Sequence, residues 1–429
     1  MKTILLSGLL ISSQFLSFHY SWATERLEHS EAQWKADAGG QIRVRGDFAL
    51  SQNLTDFTFA PGEKEAQFLE RVRLHGCIGI PGLGVKAFVQ VQWYGRWGGV
   101  DRCSQINLYQ GYIEWSRILG SCFSLKVGRQ DFAYGSAFFL GADDFYDGLS
   151  WDGFKISLNA SDVFSSELIG AKMAKLDPGD PHIYLTGIYS SCRIYKEGSL
   201  EGYLFYSKGG FPILHREFKA IESVENWYTL GTRLAGKVGR IDYELEPQLQ
   251  WRRERNTMGG GKYNVRAYGG HMDFGYTLRV PWETCVFAGY AFGSGKNDPP
   301  DGKTMEFHGD IFNDHHLVGD INIINDLSGI TINEIHASGI QLCVVGISLN
   351  PLPGLDLNLD VHRFWAARGF QNFSKDLGVE INLRASCKIK KGGSLIIGFN
   401  RFFTGRFFEQ ASGSKEDINY TYVQAQVDF

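Results

Sequence analysis

Four arginines at two-residue spacing carry the first chemistry legible in this chain: Arg43 and Arg45, then Arg71 and Arg73. A guanidinium stays charged and presents a fork of donors that grips a carboxylate at two points. Two residues is also the period of one strand face, so each pair projects to a single side of its strand. The opposite face belongs to Ile42, Val44 and Phe48 in the first segment, and to Val72, Leu74 and Ile78 in the second. Lys126, Lys155, Arg233 and Arg384 stand at the cationic parity of later segments, and Lys86 joins them. Asp47, Glu114, Glu244, Glu246, Asp360 and Glu380 are acids at that same parity.

Such a face needs elements that hold it, and the chain supplies one rhythm throughout. About ten alternating residues are followed by a longer polar loop, then ten more and a short turn such as Pro351-Leu352-Pro353-Gly354. The pattern predicts about 18 strands, the first centred near residue 46 and the last near 424. In that last strand Val423, Ala425, Val427 and Phe429 alternate with Tyr422, Gln424, Gln426 and Asp428, and the chain stops on the aromatic residue. A soluble terminus frays. The closing strand of a membrane barrel ends flush, its apolar face toward lipid and its polar face toward the lumen. An edge strand of a soluble sandwich is the alternative reading of this segment alone.

Composition agrees with a barrel. The sequence holds 52 Gly, 31 Phe, 19 Tyr and 10 Trp against 11 Pro and 5 Met, and no run of apolar residues after the first twenty is long enough for a helical span. Arg or Lys facing lipid at the midplane costs about 2–4 kcal/mol, so strand charges must share the inward parity. Most do; Glu70, Arg266 and Arg363 are exceptions placed near strand ends, where side chains can snorkel. The fold class is therefore all-β, a transmembrane antiparallel barrel closed by the strand that ends in Phe429.

Residues 1–23 read as a secretory signal peptide, with Lys2, an apolar run from Thr3 to Phe18 and Ser21-Trp22-Ala23 before the cleavage point. Residues 24–38 read as a periplasmic lead-in and 39–429 as the barrel, which places the protein in a bacterial outer membrane after export. The formal net charge of −4 does not oppose a cationic lumen, because low-dielectric walls focus a local field. The seven cysteines show no metal-ligand spacing, and their odd number leaves at least one unpaired within a monomer.

A lumen lined by these arginines and lysines favours anions that carry carboxylates. The inward acids have two roles, to pair with the arginines as a structural belt or to keep a polyanion from binding too tightly to leave. That the quartet Arg43, Arg45, Arg71 and Arg73 sets selectivity is an expectation from parity alone.

Three blocks carry a resemblance. Val127-Gly128-Arg129-Gln130 with Tyr134-Gly135 and Trp151-Asp152-Gly153 is one; Tyr290-Ala291, Ser294-Gly295, Asp301-Gly302-Lys303 and Phe307 form the second. His362-Arg363-Phe364-Trp365 followed by Leu377-Gly378-Val379-Glu380-Ile381-Asn382-Leu383 is the third. In this order they resemble the alginate-export family over most of the chain beyond Gly39. The resemblance implies an outer-membrane porin of eighteen strands that passes a linear polyuronate, such as acetylated alginate, from periplasm to exterior. It also implies Arg129 and Arg363 as pore-constriction cations, although simple parity sets both on the lipid side.

Other functions find less support. An enzyme in the same shell needs a nucleophile with a base at hand, and His271, His336 and His362 show no evident Ser or Asp partner in the sequence. His315-His316 beside Asp310 and Asp314 is the one metal reading, and solvated loop histidines are commoner; no cofactor is expected. An adhesin or receptor would use the acidic loop 297–332, where no calcium-loop spacing occurs. A general anion or sugar-acid porin for small solutes shares every lumen feature. The expected partners are an anionic polysaccharide or oligosaccharide, the lipid bilayer with lipopolysaccharide, and periplasmic export proteins. Nucleic-acid binding has no support in charge or motif.

Overall fold

Period-2 alternation becomes a wall because each strand finds a neighbour on both sides. The computed structural model describes residues 34–55, 57–98, 103–142, 147–174, 183–208, 224–255, 262–296, 306–308, 318–324, 326–389 and 392–429. The strands are β1 (Lys35–Gln52), β2 (Phe59–Ile80), β3 (Val85–Trp97), β4 (Cys103–Trp115), β5 (Phe123–Gln130) and β6 (Trp151–Asn159). They continue as β7 (Phe164–Met173), β8 (Tyr184–Tyr195), β9 (Gly198–Lys208), β10 (Val224–Val238), β11 (Ile241–Arg255), β12 (Lys262–Thr277) and β13 (Cys285–Gly293). After the short β14 (Gly329–Ile332) come β15 (Ile335–Leu352), β16 (Leu355–Arg368), β17 (Asp376–Ile389), β18 (Gly393–Thr404) and β19 (Ile418–Asp428).

All pairings are antiparallel between neighbours, with β13 passing directly to β15, so the closed barrel has 18 strands and β14 is a side hairpin on β15. Closure runs from Gln41 opposite Asp428 to Leu50 opposite Asn419. It finishes with Phe429 N–H donating to Gly40 O at 2.9 Å and Gly40 N–H to Phe429 O at 2.7 Å. This pairs the backbone of the last residue with that of β1, as a bilayer requires. The predicted centres near 46 and 424 lie in β1 and β19, and the expected count of about 18 strands is met. The barrel begins at Lys35, slightly before the expected boundary at 39. The signal segment, most of the lead-in and His315-His316 lie outside the described residues.

Large apolar side chains are exposed at one parity around the whole wall, among them Ile42, Val44, Leu74, Val89, Ile113, Leu249, Phe274, Val345, Leu383 and Phe399. A continuous apolar exterior on this scale is stable only against lipid. Short turns gather at the end that holds the start of β1 and Phe429, for example 81–84, 196–197 and 353–354. That end is the periplasmic one in barrels of this type, and the long loops face outward from the cell.

The long loops do not all extend into solvent. Ile321, Ile323, Ile324 and Leu327 are buried with Phe138 and Phe307 against wall residues Ala267, Ala291, Phe364, Phe402 and Tyr420. Phe132, Phe139, Leu140 and Leu149 pack on Trp151, Tyr189, Tyr203, Phe205 and Trp227 of the facing wall. Segments 131–142 with 147–150, and 318–324 with 326–332, thus fold back into the barrel's outer half. A short helix, α1 (Arg406–Ser412), caps the rim with Phe407 and Phe408 buried; Phe408 packs edge-on to Phe59 at 5.1 Å.

Candidate functional site: the charged lumen

The first hairpin does aim its four arginines inward, since Arg43 faces Arg71 directly in the β1–β2 register. Three of them are buried rather than lining open water: Arg45, Arg71 and Arg73 are 4%, 2% and 7% exposed. Arg45 donates to Asp47 at 2.7 Å and to the Tyr420 hydroxyl at 2.8 Å, and its guanidinium stacks 3.8 Å from the Tyr422 ring. Arg73 donates to Gln92 at 2.6 Å and to the Asp147 carbonyl at 3.3 Å, which Gln92 also binds at 2.6 Å. A bulge in β4 turns Tyr109 inward, where Arg73 lies 3.8 Å above its ring. Arg71 donates to Gln41, and Arg43 to Gln426 at 2.8 Å. Arg45 and Arg73 therefore anchor wall and loop: the guanidinium fork here grips a carbonyl and an aspartate of the protein itself.

The facing wall is acidic. Arg233 donates to both oxygens of Glu201 at 3.0 Å and to both of Glu244 at 3.1 Å, with Glu246 at 3.9 Å. His271 lies beside them, its Nδ1 2.6 Å from Asp273 and its Nε2 3.6 and 3.7 Å from Glu244 and Glu246. Glu244, Glu246 and His271 bring their donor atoms within 4.8 Å of one another, a set able to hold a divalent cation. Arg233 supplies the positive charge at those carboxylates. Glu246 also accepts Ser136 at 2.7 Å and Tyr203 at 2.6 Å, which fixes the first inward loop to this wall.

Ser136, His271 and Asp273 form a Ser-His-Asp line that the sequence reading missed. Asp273 lies two residues from His271 on the same strand face, and Ser136 Oγ is 3.4 Å from Nε2. The chemistry is not that of a nucleophile. The serine proton is directed to Glu246 at 2.7 Å rather than to His271.

The second inward loop is held by a different acid. Glu380 is fully buried and accepts the backbone N–H groups of Asp320 at 2.7 Å and Ile321 at 3.1 Å. Asp320 in turn accepts Tyr422 at 2.9 Å and lies 3.6 Å from Arg384. Asp360 bridges His362 at 2.7 Å and Asn382 at 2.8 Å. Before this loop Glu306 pairs with His336 of β15, and within the loop Asp326 accepts the Ser328 N–H. Burial, together with Arg252, drives His308 down to about 3. Burial works against ionising Glu306, yet the His336 hydrogen bond and charge hold it at about 2. Burial raises Asp326 to about 7.

Arg129 and Arg363 stand on the outer wall, which corrects the pore role implied for them. Arg129 shares the parity of exposed Val127 and makes two bonds to Asp152 at 2.7 and 2.8 Å. Arg363 pairs with Asp376 at 2.9 Å. No local bulge turns either side chain inward; their neighbours Gln130, His362 and Phe364 take the buried face. Lower in the barrel, toward the periplasmic end, Lys86 pairs with Glu114 at 3.2 Å and Lys155 with Glu167 at 3.1 Å. Among the described residues Lys126 has no carboxylate within ion-pairing distance; its ammonium sits 4.2 Å over the Tyr112 ring.

Comparison with known proteins accords with this architecture. No curated protein matches the sequence. Among solved structures, OpdL of Pseudomonas aeruginosa superposes with a TM-score of 0.60 at 12% identity, over 92% of this chain and 99% of that one. OccK2 (OpdF) of the same organism gives 0.60 at 12% identity over 92% and 98%. OprD, an outer membrane protein of that organism, gives 0.58 at 13% over 91% and 94%. At these identities the likeness concerns fold. The family model described as alginate export matches residues 35–420, nearly the whole chain. With its closed outer-membrane barrel, inward loops and charged lumen, this chain belongs to the alginate-export family.

Proposed function

We propose that the barrel is a channel for anionic saccharides, with a linear polyuronate as its foremost solute. The carrying observation is the inward row of Lys86, Lys126 and Lys155 on β3 to β6, which includes a cation with no carboxylate partner among the described residues. Arg43 extends this wall on β1. Such a wall attracts carboxylates, while Glu114 and Glu167 keep the attraction weak enough for release. Membership of the alginate-export family supports a uronate over other anions. Anion preference and uronate passage are the two parts of the reading.

The test is single-channel current from refolded protein in a planar bilayer under a salt gradient, then with added oligomannuronate. Anion-selective current that the oligomer blocks is the expected result. Anion current indifferent to the oligomer would instead favour a porin for small anions, and cation selectivity would overturn both parts. Replacing Arg43, Arg45, Arg71 and Arg73 together by neutral residues tests the quartet: unchanged anion preference would remove it from the selectivity mechanism.

A further inference from the structure

Resting on that reading, the open periplasmic half of the lumen points to the part of the sugar acid that is recognised first. Lys86, Glu114, Lys126 and Lys155 are direct register partners across β3, β4, β5 and β6. They form one level row three inter-strand steps wide, roughly 14 Å. Lys126 and Lys155 are opposite one another, like charges in that position repel, and Glu167, 3.1 Å from Lys155, offsets only one of the two.

One step above this row the wall changes character. Phe88 and Tyr112 are register partners and stack at 5.1 Å, and His75 stacks on Phe88 at 5.6 Å. All three rings are only partly buried. Tyr112 is then followed in register by Gly128 on β5 and Gly153 on β6. Two adjacent inward positions therefore carry no side chain. Gly128 has φ +130°, a conformation denied to other residues, and a Cβ there would collide with the Gly111 carbonyl. On the outer face the Arg129–Asp152 pair joins the same two strands. The first block of the sequence resemblance thus builds a bare strip of wall edged by aromatic rings and underlined by lysines. A cavity of about 800 Å³, with Arg193 and Arg233 in its wall, opens at the same end.

We propose that this strip is a subsite for a hexuronate unit entering from the periplasm. The apolar face of the pyranose rests along the ring edges of the Phe88–Tyr112 stack, beside Lys126 over Tyr112, and on the two glycines, and its carboxylate takes the position between Lys126 and Lys155. Neutral sugars lack the group the lysines need, and small inorganic anions lack the face the rings cover.

The experiment is titration of refolded, detergent-solubilised full-length barrel with a mannuronate trimer, followed by calorimetry, alongside a neutral glucan trimer. The variants are Phe88→Leu/Tyr112→Leu and Lys126→Gln/Lys155→Gln, each checked for barrel formation by strand circular dichroism and heat-dependent gel mobility. The wild type is expected to prefer the uronate. Losing two charge-assisted contacts should weaken it roughly a hundredfold or more; losing the rings should weaken it roughly three- to tenfold. Tyr112→Phe, which keeps the ring, should bind as the wild type does. Wild-type binding unchanged in both double variants would overturn the subsite while leaving a uronate channel intact. Weakening confined to the lysine variant would overturn the sugar-face contact. A wild type that binds neither trimer would overturn the uronate reading and the subsite with it.

Discussion

Replacing Glu380 by alanine should release the inner loop that narrows the barrel. Its carboxylate accepts two backbone donors, Asp320 N–H and Ile321 N–H, at 2.7 and 3.1 Å within a fully buried site. Each donor left without an acceptor costs roughly 1–3 kcal/mol, so the pair accounts for roughly 2–6 kcal/mol of docking. Burial of Ile321, Ile323, Ile324 and Leu327 favours the docked loop by roughly 1.5–3 kcal/mol each. Ordering the backbone of residues 318–324, 326 and 327 opposes it by roughly 1–2 kcal/mol per residue. Those two sums are of similar size, so the hydrogen bonds to Glu380 decide the population. Gly319 supports the same conclusion: with φ +89° it passes so close that any Cβ would collide with the Glu380 carboxylate. In planar bilayers, Glu380→Ala should show a larger and noisier open level than wild type, and the loop should become sensitive to protease added from outside. Glu380→Gln, which keeps one acceptor but no charge, should fall between. Conductance, noise and protease pattern identical to wild type in Glu380→Ala would refute the pinning role.

Further perturbations test the rest of the lumen. Asp326 is carried from 3.8 to about 7 by burial, so the docked loop holds the extra proton between those values and docking weakens as pH rises through them. Asp326→Asn should therefore slow amide exchange in this loop at pH 8 and change little at pH 3. Glu306 behaves oppositely: its contribution is complete above 4.5 and is lost as pH falls toward about 2, which exchange measured over that range would follow. Arg233→Leu leaves Glu201 and Glu244 facing each other without their cation, and should cost roughly 3–5 kcal/mol, read as a lower temperature for loss of the folded gel band. Arg129→Ala removes an exposed outer pair, so stability should change by less than about 1 kcal/mol and ion selectivity not at all; a selectivity shift would return Arg129 to the pore.

The barrel was legible because a membrane wall writes itself as period 2, and closure needs no information beyond neighbouring strands. Ile42, Arg43, Val44 and Arg45 already state which side meets lipid. Parity also separated inward Glu246 and Glu380 from outward Arg129 and Arg363, and it proved a better guide to those two arginines than the family resemblance. What the sequence withheld was depth and partner. Nothing in the spacing of Ile321, Ile323 and Ile324 distinguishes a loop folded inward from one exposed outside, because their contacts are wall residues far away in the chain. Likewise Phe88, Tyr112, Gly128 and Gly153 reveal a common site only once the register between four strands is known. Asp273 beside His271 was readable as a same-face pair, but Ser136 comes from a loop.

The loops crowd the outer half of the barrel while the lysine row and its glycine strip occupy the periplasmic half. In electrical terms this is a charged funnel leading to a neck. A voltage falling mainly across that neck would leave the mouth to set which ions are stored there. One polarity drives anions from the mouth's enriched layer into the neck, and the reverse polarity empties that layer. A current–voltage curve from barrels inserted in one orientation would then be asymmetric, with the molecule acting as a rectifier for the ion it prefers.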